Sequence, residues 1–239
     1  MSEDSAVLVT VCARGGSKGV ENKNVRELDD LPLIAHTLRQ AQNWNRTTHL
    51  IVSTDDDEIA AVAERYGAEV PFRRPSELAT DEAAKLPVIK HAHREAESQT
   101  GKTYDYIVDL DVTAPIRLVD DIERCFNRVY ETDATSAYTV TESGKNPYFN
   151  MIELDEDGNA SLSKSLGEDV VRRQDAPTVY EMNASVYTYE REFLQDTDST
   201  HAGHTTVAEM PPERSVDIDR PVDFAFVDFL MNQWGVSYD

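Results

Sequence analysis

Ala6-Val-Leu-Val-Thr-Val-Cys12 runs directly into Ala13-Arg-Gly-Gly-Ser-Lys-Gly19 and then Val20-Glu-Asn-Lys-Asn24. The apolar, β-branched first segment reads as a buried parallel strand. It opens into a turn that carries Gly15, Gly16 and Gly19, the hydroxyl of Ser17 and the cations Arg14 and Lys18, with Lys23 and Asn24 close behind. Bare backbone N–H groups and fixed positive charge in one loop suit a polyphosphate. The loop is neither of the two commonest phosphate loops. A Walker loop needs G-x-x-x-x-G-K-S/T, and here the lysine precedes the last glycine. A dinucleotide fingerprint needs G-x-G-x-x-G, and these glycines are spaced differently. On composition alone, an ordinary strand-to-helix turn with surface cations is the alternative.

Downstream, the pattern alternates. Residues 33–42 carry a helical apolar stripe with Pro32 at its start, and 48–55 read as a strand ending in Ser-Thr-Asp. A helix over 58–66 stops at Gly67, and a short strand follows over 67–72. Then come a helix over 85–99, a strand over 104–111 and a helix over 119–131. This alternation predicts an α/β fold with a mostly parallel, Rossmann-like sheet and right-handed crossovers. Ligands of such sheets sit beyond the carboxyl ends of the strands, so the loops at 13–24, 53–56, 73–81 and 111–117 are candidates for one shared site. From Ser136 the rhythm changes to short strands and a hairpin about Asp157-Gly158, with Arg172-Arg-Gln-Asp-Ala-Pro177 beyond. Strands over 180–189 and 206–210 and a helix over 221–232 follow. One domain over 1–239 is expected, with an excursion at about 140–180 acting as a lid or as an arm toward a second subunit.

Composition sets the bounds. A chain of 239 residues with 40% hydrophobic residues can bury a sizeable core. No apolar run approaches a membrane span, and Met1-Ser-Glu-Asp4 lacks a basic segment, so a cytoplasmic location is expected. Cys12 and Cys125 have no metal spacing and read as two buried thiols. A net charge of −22 argues against nucleic acid as the main partner. The acids are dispersed, at Asp55 to Glu58, Asp155 to Asp157 and Glu168-Asp169. Such a surface suits solubility in concentrated salt, so a halophilic host is one expectation and an acidic mesophilic protein the other.

Several constellations could carry chemistry. Asp217 and Asp219 flank Ile218 at i and i+2, which on a strand puts both carboxylates on one face. A hard divalent ion such as Mg²⁺, shared with a nucleotide's phosphates, would relieve their repulsion. The alternative is a solvated strand end that caps the last helix. Arg14, Lys18 and Lys23 offer charge to triphosphate oxygens, or merely balance nearby acids. Arg74 and Ser76 could do similar work or hold a base, or belong to a turn dictated by Pro75. Arg172-Arg173 could grip an anionic substrate, or make a subunit contact. Nucleophilic catalysis finds no support: there is no G-x-S-x-G elbow, and neither cysteine has an evident histidine partner. The histidines show no metal pattern, and redox chemistry also lacks support.

Taken together, these motifs resemble the acylneuraminate cytidylyltransferases, the CMP-sialic acid synthetases. Residues 13–24 resemble that family's A-R-x-G-S-K-x-x-x-x-K-N loop. The likeness continues through Ile51-Val-Ser-Thr-Asp55, Arg74-Pro-Ser-Glu-Leu-Ala-Thr-Asp81 and Thr113-Ala-Pro-Ile-Arg117 to the D-I-D stretch at Val216-Asp-Ile-Asp219. Leu110-Asp-Val-Thr-Ala-Pro-Ile-Arg117 departs from the familiar L-Q-P-T-S-P-L-R, because Asp111 and Val112 replace Gln-Pro. That variant resembles the branch acting on legionaminic acid, as do Asn146-Pro-Tyr-Phe-Asn-Met151 and Tyr180-Glu-Met-Asn-Ala-Ser-Val-Tyr187. The resemblance implies a nucleotidyltransferase fold, a homodimer and a Mg²⁺-dependent reaction of CTP with a nonulosonic acid that yields the CMP-sugar and pyrophosphate. It implies that Arg14, Ser17, Lys18 and Lys23 hold the triphosphate, that Asn24, Arg74 and Ser76 contact the nucleotide, and that Gly15, Gly16 and Thr113 also line the CTP site. Asp217 and Asp219 would take the metal, and Lys145, Arg173 and Asn183 the sugar. Arg14, Lys18, Lys23 and Asp219 are the expected catalytic set. The rival readings are a CTP-dependent synthetase of other specificity, such as one for octulosonate, and a non-catalytic nucleotide-binding subunit.

Overall fold

The computed structural model describes residues 5–167 and 172–234. The acidic stretches at Met1 to Asp4 and Glu168-Asp169 lie outside the described residues. In chain order the elements are β1 (Val7–Cys12), β2 (Glu27–Leu28), β3 (Leu31–Pro32), α1 (Leu33–Asn43), β4 (His49–Ser53), α2 (Asp57–Arg65), α3 (Lys85–Thr100), β5 (Tyr106–Leu110) and α4 (Val119–Tyr130). They continue with β6 (Ser136–Glu142), β7 (Ile152–Leu154), β8 (Ala160–Leu162), β9 (Tyr180–Glu190), α5 (Arg191–Asp196), β10 (Thr205–Glu209) and α6 (Pro221–Trp234).

The main sheet has the order β10-β6-β9-β5-β1-β4. β1 pairs in parallel with β4 and β5, and β6 pairs in parallel with β10. β9 lies between β5 and β6 and is antiparallel to both. The fold class is therefore mixed α/β with a mostly parallel sheet, as expected.

β1 is buried on both faces because both are covered. Its alternation divides the core: Val7, Val9 and Val11 pack with residues of α1, α2, α4 and α6, and Leu8 packs with residues of α3 and α5. α2 starts where the Asp56 carboxylate accepts from the backbone N–H of Glu58 and Ile59, which satisfies its first orphan donors.

Three local expectations are corrected. Residues 67–72 do not form a strand; they contribute one bridge, Ile51 to Glu69, beside β4. Val52 N–H donates to the Glu69 carbonyl at 2.8 Å, but Pro71 has no N–H with which to extend the ladder. Residues 216–219 are extended but unpaired as a strand, because their backbone is spent on loops, as described below. Arg173–Asp175 is a short 3-10 turn, and α5 was not foreseen.

One ion pair fixes how α5 meets α3. Arg191 donates to both oxygens of Glu97, at 2.7 and 3.0 Å. Burial pushes the Glu97 carboxyl up, but Arg191 and its neighbours outweigh that and hold it at about 2, against 4.5 ordinarily. A depressed carboxyl contributes stability that is present above the unfolded value and is lost as pH falls toward the folded one. Between pH 4.5 and 2 the wild type is therefore expected to lose on the order of 2 kcal/mol at this pair. Urea titrations of wild type and Glu97→Gln at pH 7 and pH 3 check this. An equal pH difference in both proteins would assign the acid sensitivity elsewhere.

Candidate active site

The carboxyl ends of β1, β4 and β5 converge, and the loops that leave them interlock. Ala13 N–H donates to the Ser53 carbonyl at 3.1 Å, and Gly15 N–H donates to Asp55 Oδ1 at 2.9 Å. The Asn24 amide is buried and donates to the Arg14 carbonyl at 2.9 Å, folding the glycine loop back on itself. Gly16 adopts φ 66°, which a glycine reaches without strain. Gly19 lies so close to the far end of the chain that a Cβ there would sit 1.9 Å from the Asp219 carbonyl oxygen.

The 216–219 segment is clamped on two sides. Lys23 Nζ donates to the Ile218 carbonyl at 2.6 Å and stands 3.6 Å from Asp219 Oδ1. Ile218 N–H donates to the Thr113 carbonyl at 2.9 Å. The Ile218 side chain is fully buried, while the Asp219 side chain is 73% exposed. The carboxylates thus diverge from the isoleucine as the i, i+2 spacing required, without a strand.

These loops enclose a cavity of about 340 Å³ whose lining includes Arg14, Ser17, Lys18, Lys23, Asn24, Arg74, Thr113 and Asp219. A larger hollow of about 900 Å³ lies beside Val7 and is lined by Trp44, Arg46, Glu123 and Tyr130. Its arginine is already held by Glu123 at 2.9 to 3.1 Å and stacks over the Phe126 and Tyr130 rings. The smaller cavity, with its several cations, is the better anion site.

Carboxylates order the cations around it. Asp81 pairs with Arg14 at 2.6 Å and with Lys18, and these two partners hold its carboxyl below its ordinary value. The Arg74 guanidinium is buried against Ser53, donating to its hydroxyl and its carbonyl. Asp217 is in the opposite condition. Its Oδ1 is buried with no hydrogen-bond partner among the described residues. Burial, with Asp219 and Asp111 nearby, pushes its carboxyl up to about 6. Thr113 hydrogen-bonds the Asp217 carboxyl, so only Oδ1 is unsatisfied; a half-satisfied carboxylate beside an exposed one is a donor set a hard cation relieves. Among the described residues no group of three or more His, Cys, Asp or Glu is placed to hold a metal by itself. A cation here would need further oxygens from a bound phosphate chain.

Gly15 and Gly16 face a small recess behind the loop, shared with Asp56 and Glu58. Ser76 is exposed on the 3-10 turn Ser76–Leu78, and Leu78 rather than Ser76 reaches the cavity. The cavity of one chain does not include Lys145, Arg173 or Asn183. Arg173 donates to the Ser143 carbonyl at 2.8 Å, and Lys145 is exposed on the excursion. Asn183 is buried inside the sheet: its Oδ1 accepts from Thr139 at 2.7 Å and its Nδ2 donates to Ser215 at 3.0 Å.

Sequence reasoning passed over Asp81, Lys85 and Asp111, all of which line the cavity. One signal was available: Lys85 opens α3, where the helix dipole disfavours a cation, and Asp109 interrupts an apolar strand, so each demands a partner. Burial pushes the thiols of Cys12 and Cys125 up, the latter to about 12, so neither is poised as a nucleophile.

Asp217 does not line this cavity, but Asp219, two residues on, does. A cavity lined by Arg14, Lys18 and Lys23, with carboxylates interspersed among them, can bind and polarise a phosphate chain. The family model described as cytidylyltransferase matches residues 8–228. The chain is 41% identical over 231 residues to the CMP-N,N'-diacetyllegionaminic acid synthase of Campylobacter jejuni, covering 97% of each chain. It is 41% identical over 229 residues to the post-translational flagellin modification protein B of Campylobacter coli, covering 96% of each. Among solved structures, a CMP:2-keto-3-deoxy-manno-octonic acid synthetase complexed with CTP superposes with a TM-score of 0.72 at 16% identity, covering 96% of this chain and all of that one, a likeness of fold. This chain belongs to the cytidylyltransferase family.

Proposed function

We propose that the enzyme joins CMP to a nonulosonic acid of the legionaminic type, using CTP and releasing pyrophosphate. One observation carries the reading: Arg14, Lys18 and Lys23 share a cavity with Asp219, and Asp217 stands two residues away on the same clamped segment. The name of the Campylobacter jejuni relative supports the choice of sugar. The sugar's anomeric hydroxyl attacks the α-phosphorus in line; the new O–P bond forms as the bond to the β-phosphate breaks. Such transfers ask for positioning and charge stabilisation more than covalent work. Arg14, Ser17, Lys18 and Lys23 bind the triphosphate, Asn24 shapes their loop, and Arg74 and Thr113 line the nucleotide's cavity. Asp217 and Asp219 would hold Mg²⁺, which offsets negative charge on the phosphate oxygens when bound.

The excursion between β6 and β9 fits a dimer arm. Its hairpin exposes Ile152, Leu154 and Leu162, with Met151 exposed just before it, a cluster of large apolar side chains that suits a contact surface. Lys145 and Arg173 lie on this arm and would meet the sugar in a partner's cavity. Among the described residues, no helix is long and apolar enough to cross a membrane.

Pyrophosphate release from CTP with legionaminic, sialic, pseudaminic and octulosonic acids tests the function. Turnover with octulosonate alone would replace the proposed sugar, and CTP binding without turnover would favour a non-catalytic subunit. Excess EDTA is expected to abolish activity and Mg²⁺ to restore it; activity persisting in EDTA would remove the metal from the reading. Because Asp217 must lose its proton to accept a cation, half-saturating Mg²⁺ should rise up to about tenfold per pH unit below pH 6.

A further inference from the structure

The cavity floor holds an ion cluster that the proposed chemistry leaves unused. Asp109 is fully buried in β5 and accepts from Thr10 Oγ1 at 2.7 Å. Lys85 Nζ lies 3.0 Å from Asp109 Oδ2, bonds to Asp111 and sits 4.7 Å from the centre of the Tyr187 ring. Its donors are spent on the protein, so Lys85 is not a free cation for phosphate.

Asp111 is placed differently. It follows β5 directly, lines the cavity and keeps its second oxygen toward Thr113 Oγ1, 3.4 Å away. Burial pushes its carboxyl up, but Lys85 outweighs this and holds it below its ordinary value. An ionised carboxylate accepts hydrogen bonds and repels phosphate. Asp81 and Asp219 are paired with the Arg14, Lys18 and Lys23 cations, whereas Asp111 is paired with Lys85. Asp111 stands next to the Asp217 segment, which the Thr113 carbonyl anchors. A carboxylate so held suits an uncharged hydroxyl donor.

We propose that Asp111 receives a hydroxyl of the sugar acid, and that Lys85 is the positioning residue that aims it. This rests on the cytidylyltransferase reading above. Wild-type turnover with CTP and the sugar-acid panel decides that reading; the variants below decide this one. Asp111→Asn is expected to raise KM for the sugar acid roughly tenfold or more, with KM for CTP within about twofold. Lys85→Met should reproduce that split, and Lys85→Arg, which keeps the charge, should recover most of the loss. A merely structural tie between α3 and β5 would lower thermal stability without separating the two KM values. Asp111→Asn is nearly isosteric and keeps the test decisive if Lys85→Met does not fold. Unchanged KM values, or a rise confined to CTP with lost discrimination against 2'-deoxy-CTP, would overturn the proposal, the latter pointing to the ribose.

Discussion

Gly19→Ala is expected to lower kcat/KM for CTP by about two orders of magnitude, since the Cβ it adds makes the closest approach given for any glycine among the described residues. An ideal Cβ at this position would sit 1.9 Å from the Asp219 carbonyl oxygen and 3.1 Å from its carbon. Both are backbone atoms, so no side chain can swing aside. The loop and the 216–219 segment would have to separate by about 1 Å, and misplacement of that size costs roughly 10²-fold. The same separation stretches the bond from Lys23 to the Ile218 carbonyl. Gly15→Ala is the comparison, because its Cβ would meet the Asp56 carboxylate at 2.9 Å and the Asp56 Cβ at 3.2 Å, so its cost falls on the α2 cap and not on the 216–219 segment. Steady-state pyrophosphate release on both variants, with thermal melts, makes the comparison. Equal activity in the two would mean that the close approach of loop and segment does not matter to turnover.

Asp219→Ala should act on turnover alone. Its side chain is 73% exposed and contributes little to the core, so the melting temperature should stay within a few degrees of wild type. With the exposed half of the carboxylate pair gone, kcat is expected to fall about 10²- to 10³-fold, the usual cost of removing one preorganised electrostatic group. Lys23→Ala should lose most turnover too, while the protein stays folded. Its Nζ both faces the cavity and holds the Ile218 carbonyl, so a modest stability loss of about 1 kcal/mol should accompany it. Near-wild-type rates in either variant would remove that residue from the mechanism.

The central fold was legible because its signals are local. The β-branched run at 7–12, Gly67 after α2 and the apolar stripe at 33–42 each reflect a period or a stop that backbone sterics impose. The convergence of the loops after β1, β4 and β5 was legible for a topological reason, since parallel strands deliver their loops to one end; the 73–81 loop joins them without a strand before it. The antiparallel placement of β9 was not, because an apolar strand between two others reads the same in either direction. Residues 216–219 misled because alternation was taken for pairing. A buried isoleucine between one part-buried and one exposed carboxylate needs an extended backbone, and loop carbonyls can hold that as well as a neighbouring strand. Lys85 and Asp111 are 26 positions apart, and only the packing of α3 against β5 reveals them as partners.

The excursion between β6 and β9 leaves and rejoins the sheet at one doorway. Glu142 faces Tyr180 across adjacent strands, and Ser143 N–H donates to the Val179 carbonyl at 2.9 Å. Whatever lies beyond that doorway is closed by a pairing already present, so the entropic penalty of a longer or shorter insert grows only logarithmically with its length. The six-stranded sheet can therefore keep its shape while the inserted module changes length or sequence, without rebuilding the cavity at the ends of β1 and β5.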